Sequence, residues 1–118
     1  VGLQEKLLTP ARMLPHGDQR KLELGMILAP DPAVLLLDEP TAGMAAEQVP
    51  ELISLIRDVQ ADGDKTVVLV EHNMNVVMSI SDTITVMNLG KKLAEGTPEQ
   101  ITKNKEVQTA YLGGLYEL

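Results

Sequence analysis

The chain has 118 residues, enough for one small domain, and a formal net charge of −7 at pH 7. This charge argues against nucleic acid or an anionic membrane surface as the main partner, and no apolar run approaches the ~20 residues that span a bilayer. The absence of cysteine excludes disulfides, thiolate metal sites and cysteine nucleophiles, and with only His16 and His72 as imidazoles a zinc site is not expected. No signal peptide is visible, so we expect a soluble intracellular chain, and because it begins with Val1 we expect it to be part of something longer.

The first 32 residues predict two helical segments joined by a turn. Residues 1–13 predict a short amphipathic segment whose helical part Pro10 ends, and residues 14–19 predict a turn. The next helix is predicted over residues 19–28 and is stopped by the prolines of residues 30–32. The apolar face expected of the first helix consists of Leu3, Leu7 and Leu8.

The central feature of the sequence is an aliphatic run, Val34 to Leu37, followed directly by two carboxylates, Asp38 and Glu39. A short unbroken apolar run predicts a strand buried on both faces, as in a parallel sheet. Ligands of open α/β sheets bind outside the carboxyl ends of the strands, where these carboxylates fall. One carboxylate there could hold Mg²⁺ while the other orients or deprotonates a water molecule. The alternative is a strand that ends in solvated charges.

The middle of the chain predicts a second strand joined to the first by a helix. The helix spans about residues 46–61, and Pro50 is compatible with it only in the first turn. The strand covers residues 66–71 and is followed by His72, and another helix is predicted over residues 74–81. Two strands joined by a helix indicate one right-handed βαβ unit and an α/β fold.

The last third predicts a hairpin followed by short helices. The hairpin pairs residues 82–87 with residues 91–95 through a turn at residues 88–90. Residues 97–100 form a capping-box sequence with Pro at the first helical position, opening a helix that ends near Asn104. A final helical turn is expected over residues 107–112, before Gly113 and Gly114.

Five ordered motifs resemble those of the ABC-transporter ATPases. Residues 35–40 (Leu-Leu-Leu-Asp-Glu-Pro) resemble the Walker B strand, and residues 14–20 occupy the position of the LSGGQ signature. Residues 41–44 lie where the family has its D-loop, and residues 70–72 resemble the H-loop strand. Residues 94–98 resemble the family's hairpin and following helix.

The resemblance covers essentially the whole chain and is strongest to the ATP-binding subunit of branched-chain amino-acid importers. Residues 42–44, 71–74 and 110–113 are most typical of that type, with urea and amide importers as near rivals. The implied fold class is α/β: a partial P-loop-NTPase-type sheet with flanking helices and a C-terminal β-hairpin. The implied domain is residues 1–118, the C-terminal part of an ABC nucleotide-binding domain.

The resemblance also implies ATP and Mg²⁺ as cofactors, with roles for three residues at the strand ends. Asp38 would hold Mg²⁺ through water and is thereby both a cofactor-binding and a metal residue. Glu39 would polarise the attacking water, and His72 would contact the γ-phosphate. The structural alternative for His72 is the capped end of a strand.

Three further residues are implied to bind nucleotide. Gly17, at a helix N-terminus, would present backbone N–H groups to the γ-phosphate held by a partner subunit. His16 belongs to the same signature segment, and Gly43 belongs to the D-loop. The alternative for Gly17 is a turn residue without a ligand.

The sequence departs from the family pattern in two ways. No G-x-x-x-x-G-K-[ST] P-loop occurs in the chain, and no Q-loop is found, so we expect the chain alone to bind ATP poorly or not at all. In the signature, Pro15 replaces Ser and Asp18 replaces Gln. We expect the charge of Asp18 to repel a nearby phosphate and the altered signature to serve a partner's nucleotide weakly, so that restoring Ser and Gln raises activity in a complete protein.

The function predicted first is the ATP-binding and ATP-hydrolysing subunit of an ABC importer, represented by its signature-to-C-terminus half. Its partners would be a second ATPase subunit, or a second copy, and membrane permease subunits, with no nucleic acid and no direct membrane insertion. Its place would be cytoplasmic, at the inner face of the cell membrane. The alternative is a non-catalytic truncated remnant that acts as an oligomerising interaction module. A DNA-repair ATPase of the same superfamily is a third reading, disfavoured by the acidic charge.

Overall fold

The computed structural model describes residues 1–112, and these divide into two compact units, Val1–Asn73 and the part from Met74 onward. Single 3₁₀ turns at Gln4–Lys6 and Ala11–Met13 precede the first helix, and a π-helical segment, Gln108–Leu112, follows the last. The helices and strands between them are α1 (His16–Leu28), β1 (Val34–Asp38), α2 (Val49–Ala61), β2 (Thr66–Val70), α3 (Met74–Ile80), β3 (Ile84–Asn88), β4 (Lys91–Gly96), α4 (Pro98–Lys103) and α5 (Lys105–Val107).

The first unit is built on a two-stranded parallel sheet. Strands β1 and β2 pair from Val34 opposite Thr66 to Asp38 opposite Val70, and α2 connects them. Parallel strands require such a crossover, and β-branched and aliphatic residues suit both strands. The predicted βαβ order and α/β class are therefore present, and the carboxyl ends of both strands meet at one edge of the sheet.

The prediction that both strands are buried on two faces is wrong for this chain. Burial alternates along β1, where Leu35 and Leu37 are buried while Leu36 is 72% exposed. Strand β2 alternates in the same register, with Val68 and Val70 on the exposed face. Side chains of a strand alternate between faces, and in the described chain only one face of this sheet is covered. The buried helical residues of this unit include Leu24, Leu52 and Ile56.

The N-terminal segment also differs from the prediction. Instead of one amphipathic helix, it forms two short 3₁₀ turns, and Leu7 and Leu8 are exposed. Helix α1 begins at His16, three residues before the predicted start, so the expected turn is largely helical. Pro15 explains this start, because a proline favours the position just before or within the first turn, where its missing N–H costs nothing.

Helix α2 begins at Val49, three residues after the predicted start near residue 46, and Pro50 lies in its first turn, where a proline is compatible with a helix. It is linked to α1 by an ion pair between Lys21 Nζ and Glu51 Oε1 at 2.5 Å. Lys21 is buried whereas Glu51 is 63% exposed, so this contact joins the two helices with one partner covered and the other in solvent. Strand β2 ends at Val70, one residue short of the predicted end.

The second unit contains the predicted hairpin and capped helix. Strands β3 and β4 pair in antiparallel fashion with an irregularity at Val86/Met87, and Leu89 and Gly90 both have positive φ, as a two-residue hairpin turn of mirror-image type requires. Thr97 and Gln100 form the capping box at the start of α4. The small core consists of Ile84, Ile101 and Val107.

The final helical turn expected over residues 107–112 is present as the end of α5 and the π-helical segment, whereas Gly113 and Gly114 lie outside the described residues. Among residues 1–112, no helix is both long and apolar enough to cross a membrane.

Candidate functional site

The loop that leaves β1 carries the two predicted carboxylates. Asp38 is the last residue of the strand and is exposed, and Glu39 follows it with a positive φ of 46°. The backbone around Glu39 is held by two hydrogen bonds: its N–H donates to Val70 O at 2.7 Å, and its carbonyl accepts from Ala42 N at 3.0 Å. A left-handed conformation costs a non-glycine residue roughly 1–2 kcal/mol and persists only where its surroundings fix it.

His72 and Glu39 are in direct contact at the ends of the two strands. His72 Nε2 lies 2.6 Å from Glu39 Oε1. The contact is an ion pair when the imidazole is protonated and a hydrogen bond from Nε2–H when it is neutral. The two side chains are 79% and 43% exposed, so water and salt weaken their attraction. The structure therefore brings together two residues that are 33 positions apart in sequence, and it leaves them accessible to a ligand.

A third carboxylate, Glu71, connects the two loops, and the sequence analysis assigned it no role. Its Oε1 accepts from Thr41 Oγ1 at 2.5 Å and from Thr41 N at 3.0 Å. Its Oε2 accepts from the backbone N–H groups of His72, at 3.2 Å, and Asn73, at 3.3 Å. The signal in the sequence was a carboxylate next to His72 at a strand end, but its partner Thr41 could be identified only in three dimensions.

His16 and Gly43 form a second group, where α1 meets the loop after β1. His16 Nε2 lies 3.3 Å from Ala42 O, and Arg20 Nη2 donates to the same carbonyl at 3.2 Å. Gly43 has a φ of 74°, and a Cβ there would lie 3.1 Å from the His16 ring. This position thus favours glycine for two reasons: its left-handed backbone, and the close approach of the ring, which a Cβ would push back slightly. Arg20 is a member of this group that the sequence analysis missed.

Gly17 is buried in the first turn of α1. A Cβ at this position would lie 2.7 Å from the side-chain amide of Gln48, the residue that precedes α2. A larger residue at position 17 would displace the flexible end of the Gln48 side chain, so this packing is compatible with the role implied by resemblance but does not by itself require glycine. The first backbone N–H groups of any α-helix lack acceptors within the helix, so this turn retains donors that an anion could use.

The environment of Asp18 differs from the one expected. Its carboxylate is hydrogen-bonded to Lys6 and lies 3.6 Å from Lys21 Nζ. The hydrogen bond from the Lys6 ammonium, assisted by the positive charges of Lys6 and Lys21, lowers the pKa of Asp18, while partial burial acts in the opposite direction. Two lysines thus offset the negative charge that we expected to repel phosphate. Pro15, the N-cap of α1, provides no side-chain cap, unlike the Ser it replaces.

The donor set at the strand edge fits Mg²⁺ only as a partial site. Among the described residues, no group of three or more His, Asp or Glu side chains is close enough to hold a metal by itself. Mg²⁺ keeps several waters and commonly takes one or two carboxylates together with phosphate oxygens. Asp38, exposed at the end of β1, can contribute one such carboxylate.

The chain is similar in sequence to ATP-binding proteins of branched-chain amino-acid transport. The family model described as branched-chain amino acid ATP-binding cassette transporter matches residues 91–116. The high-affinity branched-chain amino acid transport ATP-binding proteins LivG of Escherichia coli and BraF of Pseudomonas aeruginosa are each 45% identical to the chain over 113 residues. These alignments cover 96% of the chain and 44% of each relative, so the chain spans less than half the length of the curated relatives it matches.

Solved structures give the same result for the fold. MJ1267, an ATP-binding cassette of an ABC transporter, superposes on the chain with a TM-score of 0.78 at 25% sequence identity. The superposition covers 87% of the chain and 42% of MJ1267. The cbiO1 protein of Clostridium perfringens, part of the ABC transporter complex cbiONQ, superposes on the chain with a TM-score of 0.75 at 28% sequence identity. The superposition covers 93% of the chain and 46% of cbiO1. The order of motifs, the strand-end residues and the similarity over nearly the whole chain agree: the chain matches part of the ATP-binding subunits of ABC transporters, and its 45% identical relatives are of the branched-chain amino-acid type.

Proposed function

We propose that the chain is the C-terminal part, residues 1–118, of a nucleotide-binding domain that hydrolyses ATP in an importer of branched-chain amino acids or a related solute. The observation that carries this proposal is the 2.6 Å contact between His72 and Glu39 beside Asp38, at the carboxyl edge of a parallel sheet. In an α/β sheet that edge is where ligands bind, and the three side chains are accessible there.

Each residue has a role that its position supports. Asp38 would be the residue that holds Mg²⁺, and the metal would supply charge neutralisation to the phosphates. Glu39 accepts a hydrogen bond from the attacking water and polarises it, while His72 fixes the Glu39 carboxylate and contacts the γ-phosphate. The first turn of α1, including Gly17, offers N–H groups to a nucleotide held by a second ATPase subunit. His16 and Gly43 shape the loop between these two groups.

The proposed ATPase also needs a phosphate-binding loop and partner subunits. The sequence has no G-x-x-x-x-G-K-[ST] motif, so the phosphate cradle is supplied by a P-loop outside these 118 residues. The complete assembly pairs two ATPase subunits with membrane permease subunits at the cytoplasmic face of the membrane. The similarity to LivG and BraF supports this arrangement, since both are named as transport ATP-binding proteins.

A chimera tests the proposed chemistry. In it, this chain replaces the 113-residue stretch of LivG with which it aligns, so that the rest of LivG supplies the missing parts. We expect Mg-dependent ATP hydrolysis, and Glu39→Gln should lower the rate by about 10²–10⁴-fold, as expected on losing a general base, while nucleotide binding is retained. The matched control is Glu47→Gln, an exposed carboxylate on the loop before α2, which should leave the rate unchanged. Equal rates in the Glu39→Gln and unchanged chimeras would contradict the proposal.

A second candidate function, an oligomerising interaction module, is favoured by the uncovered face of the parallel sheet. Val34, Leu36, Val68 and Val70 are exposed together on that face. Apolar surface of this kind is favourable to bury, and a second copy of the chain offers the same surface. Sedimentation velocity across a wide concentration range should show a dimer that Leu36→Lys weakens by at least about tenfold, or roughly 1.4 kcal/mol. A chain that stays monomeric at every concentration would exclude this function.

A further inference from the structure

We propose that Glu71 is a positioning residue that joins the loop after β1 to the loop after β2 and thereby sets the separation of Glu39 and His72. This inference rests on the proposed function for the catalytic role of Glu39 and His72. The hydrogen bonds that Glu71 makes to the two loops do not depend on that function. Neither the motif resemblance nor the comparisons assign Glu71 a role.

Four hydrogen-bond donors converge on the Glu71 carboxylate. Two hydrogen bonds come from Thr41, through its hydroxyl and its backbone N–H, and two come from the backbone of His72 and Asn73. Each oxygen receives two of them, so the carboxylate uses its full capacity of about four acceptor sites. Hydrogen bonds to a charged acceptor are roughly twice as strong as neutral ones, so this set can fix two loops that share no covalent connection nearby.

The Glu39–His72 contact is too exposed to fix its own geometry. Exposed ion pairs contribute little to stability, because water screens the attraction and ordering the two side chains costs conformational entropy. Thr41, by contrast, is buried, and Glu71 is only partly exposed. The stronger constraint on the two loops is therefore the Glu71 network, and the contact between Glu39 and His72 is its consequence.

The backbone conformation of Glu39 also depends on this network. Its positive φ needs external support, and Thr41 lies only two residues further along the same loop. Glu71 anchors Thr41 through both backbone and side chain, so the turn from Glu39 to Ala42 is closed at one end by the β2 backbone and at the other by Glu71. Releasing Thr41 removes one of these anchors and lets Glu39 relax away from His72.

The test uses NMR on the full 118-residue chain without nucleotide. In the unchanged chain we expect a cross-relaxation signal between the His72 ring and the Glu39 side chain, which is assignable because His16 is the only other histidine. Glu71→Gln preserves size but replaces acceptor oxygen with N–H₂, so this signal should disappear while circular dichroism shows a folded protein. Amide exchange at Thr41, His72 and Asn73 should become at least tenfold faster.

Matched variants separate positioning from general stability. Thr41→Ser keeps both donors and should retain the His72–Glu39 signal, whereas Thr41→Val removes the hydroxyl and should weaken it even where Glu71→Gln fails to fold. Glu47→Gln should change nothing. A folded Glu71→Gln or Thr41→Val chain with an unchanged signal and unchanged exchange would overturn the proposal. Since no nucleotide is involved, an inactive chimera would count against the proposed function and leave this result unaffected.

Discussion

At the scale of single residues, the neighbours of a charged side chain decide whether its charge faces a ligand or pairs within the protein. Asp18 in sequence is an acid at a position expected to face phosphate, but in the structure Lys6 and Lys21 hold its carboxylate. Lys21 in turn pairs with Glu51 of α2. Two positive and two negative side chains therefore form one local network, and Asp18 contributes to the packing of α1.

This network predicts a pH-dependent contribution to stability. The pKa of Asp18 is lowered in the folded chain, so its stabilisation is fully present above the ordinary carboxyl pKa of about 3.9 and is lost as the pH falls through the lowered value. Asp18→Asn should reduce the free energy of unfolding by about 1–2 kcal/mol at pH 7, less than the 3–5 kcal/mol of a broken buried pair because Glu51 still pairs with Lys21.

Urea denaturation at neutral and strongly acidic pH measures this effect. The difference between Asp18→Asn and the unchanged chain should shrink at the acidic pH, where the carboxyl of the unchanged chain is protonated too. Glu99→Gln is the control, because Glu99 forms an exposed pair with Lys103 and should contribute within about 0.5 kcal/mol. A difference independent of pH would show that the charge of Asp18 is not what stabilises α1.

At the scale of elements, β1 contains neighbouring leucines that should contribute very differently to stability, because one is buried and the other is exposed. Leu35 is 1% exposed on the covered face, whereas its neighbour Leu36 is 72% exposed on the open face. The sequence presents both as members of one apolar run. The cover on a strand is contributed by other elements, here with buried residues from α1 and α2.

The contrast gives a matched pair of substitutions. Leu35→Ala should lower the free energy of unfolding by about 2–5 kcal/mol, because it removes buried methyl groups and leaves a cavity. Leu36→Ala should change it by no more than about 0.5 kcal/mol in the monomeric chain, as expected for an exposed site. Chemical denaturation at a dilution where the chain is monomeric measures both. Similar losses at the two positions would mean that the open face is covered in solution.

At the scale of the whole molecule, the chain contains strand-end chemistry without a phosphate cradle. Asp38, Glu39 and His72 lie at one sheet edge, but none of them replaces the backbone N–H groups and lysine of a P-loop. The acidic net charge of −7 adds a general repulsion toward nucleotide. The two described units each have a small core, and neither contains the missing motif.

We therefore expect isothermal calorimetry of the 118-residue chain with Mg-ATP to show no saturable heat at millimolar nucleotide. Glu39→Gln measured alongside prevents turnover from obscuring weak binding. Saturable binding by both proteins would mean that the strand-end cluster holds nucleotide unaided, in the chain or across a dimer.

The sequence by itself determined the features that depend on local pattern and ordered motifs. Aliphatic runs and helical periodicity predicted β1, β2 and α2, and the capping box predicted α4, because such signals arise from neighbours along the chain. The family resemblance likewise rested on motifs in order. It also placed Asp38 and Glu39 at a strand end and His72 just after the next strand.

Tertiary structure alone decided which distant residues meet and which apolar residues are covered. The bonds from Thr41 to Glu71, the contact of His16 with the Gly43 loop, and the bond from Lys6 to Asp18 join residues 12 to 30 positions apart. Leu36 is exposed because burial depends on what covers a face, and a strand's own sequence cannot specify its cover. Local chain chemistry thus fixed the elements, while packing between elements fixed the environment of each functional side chain.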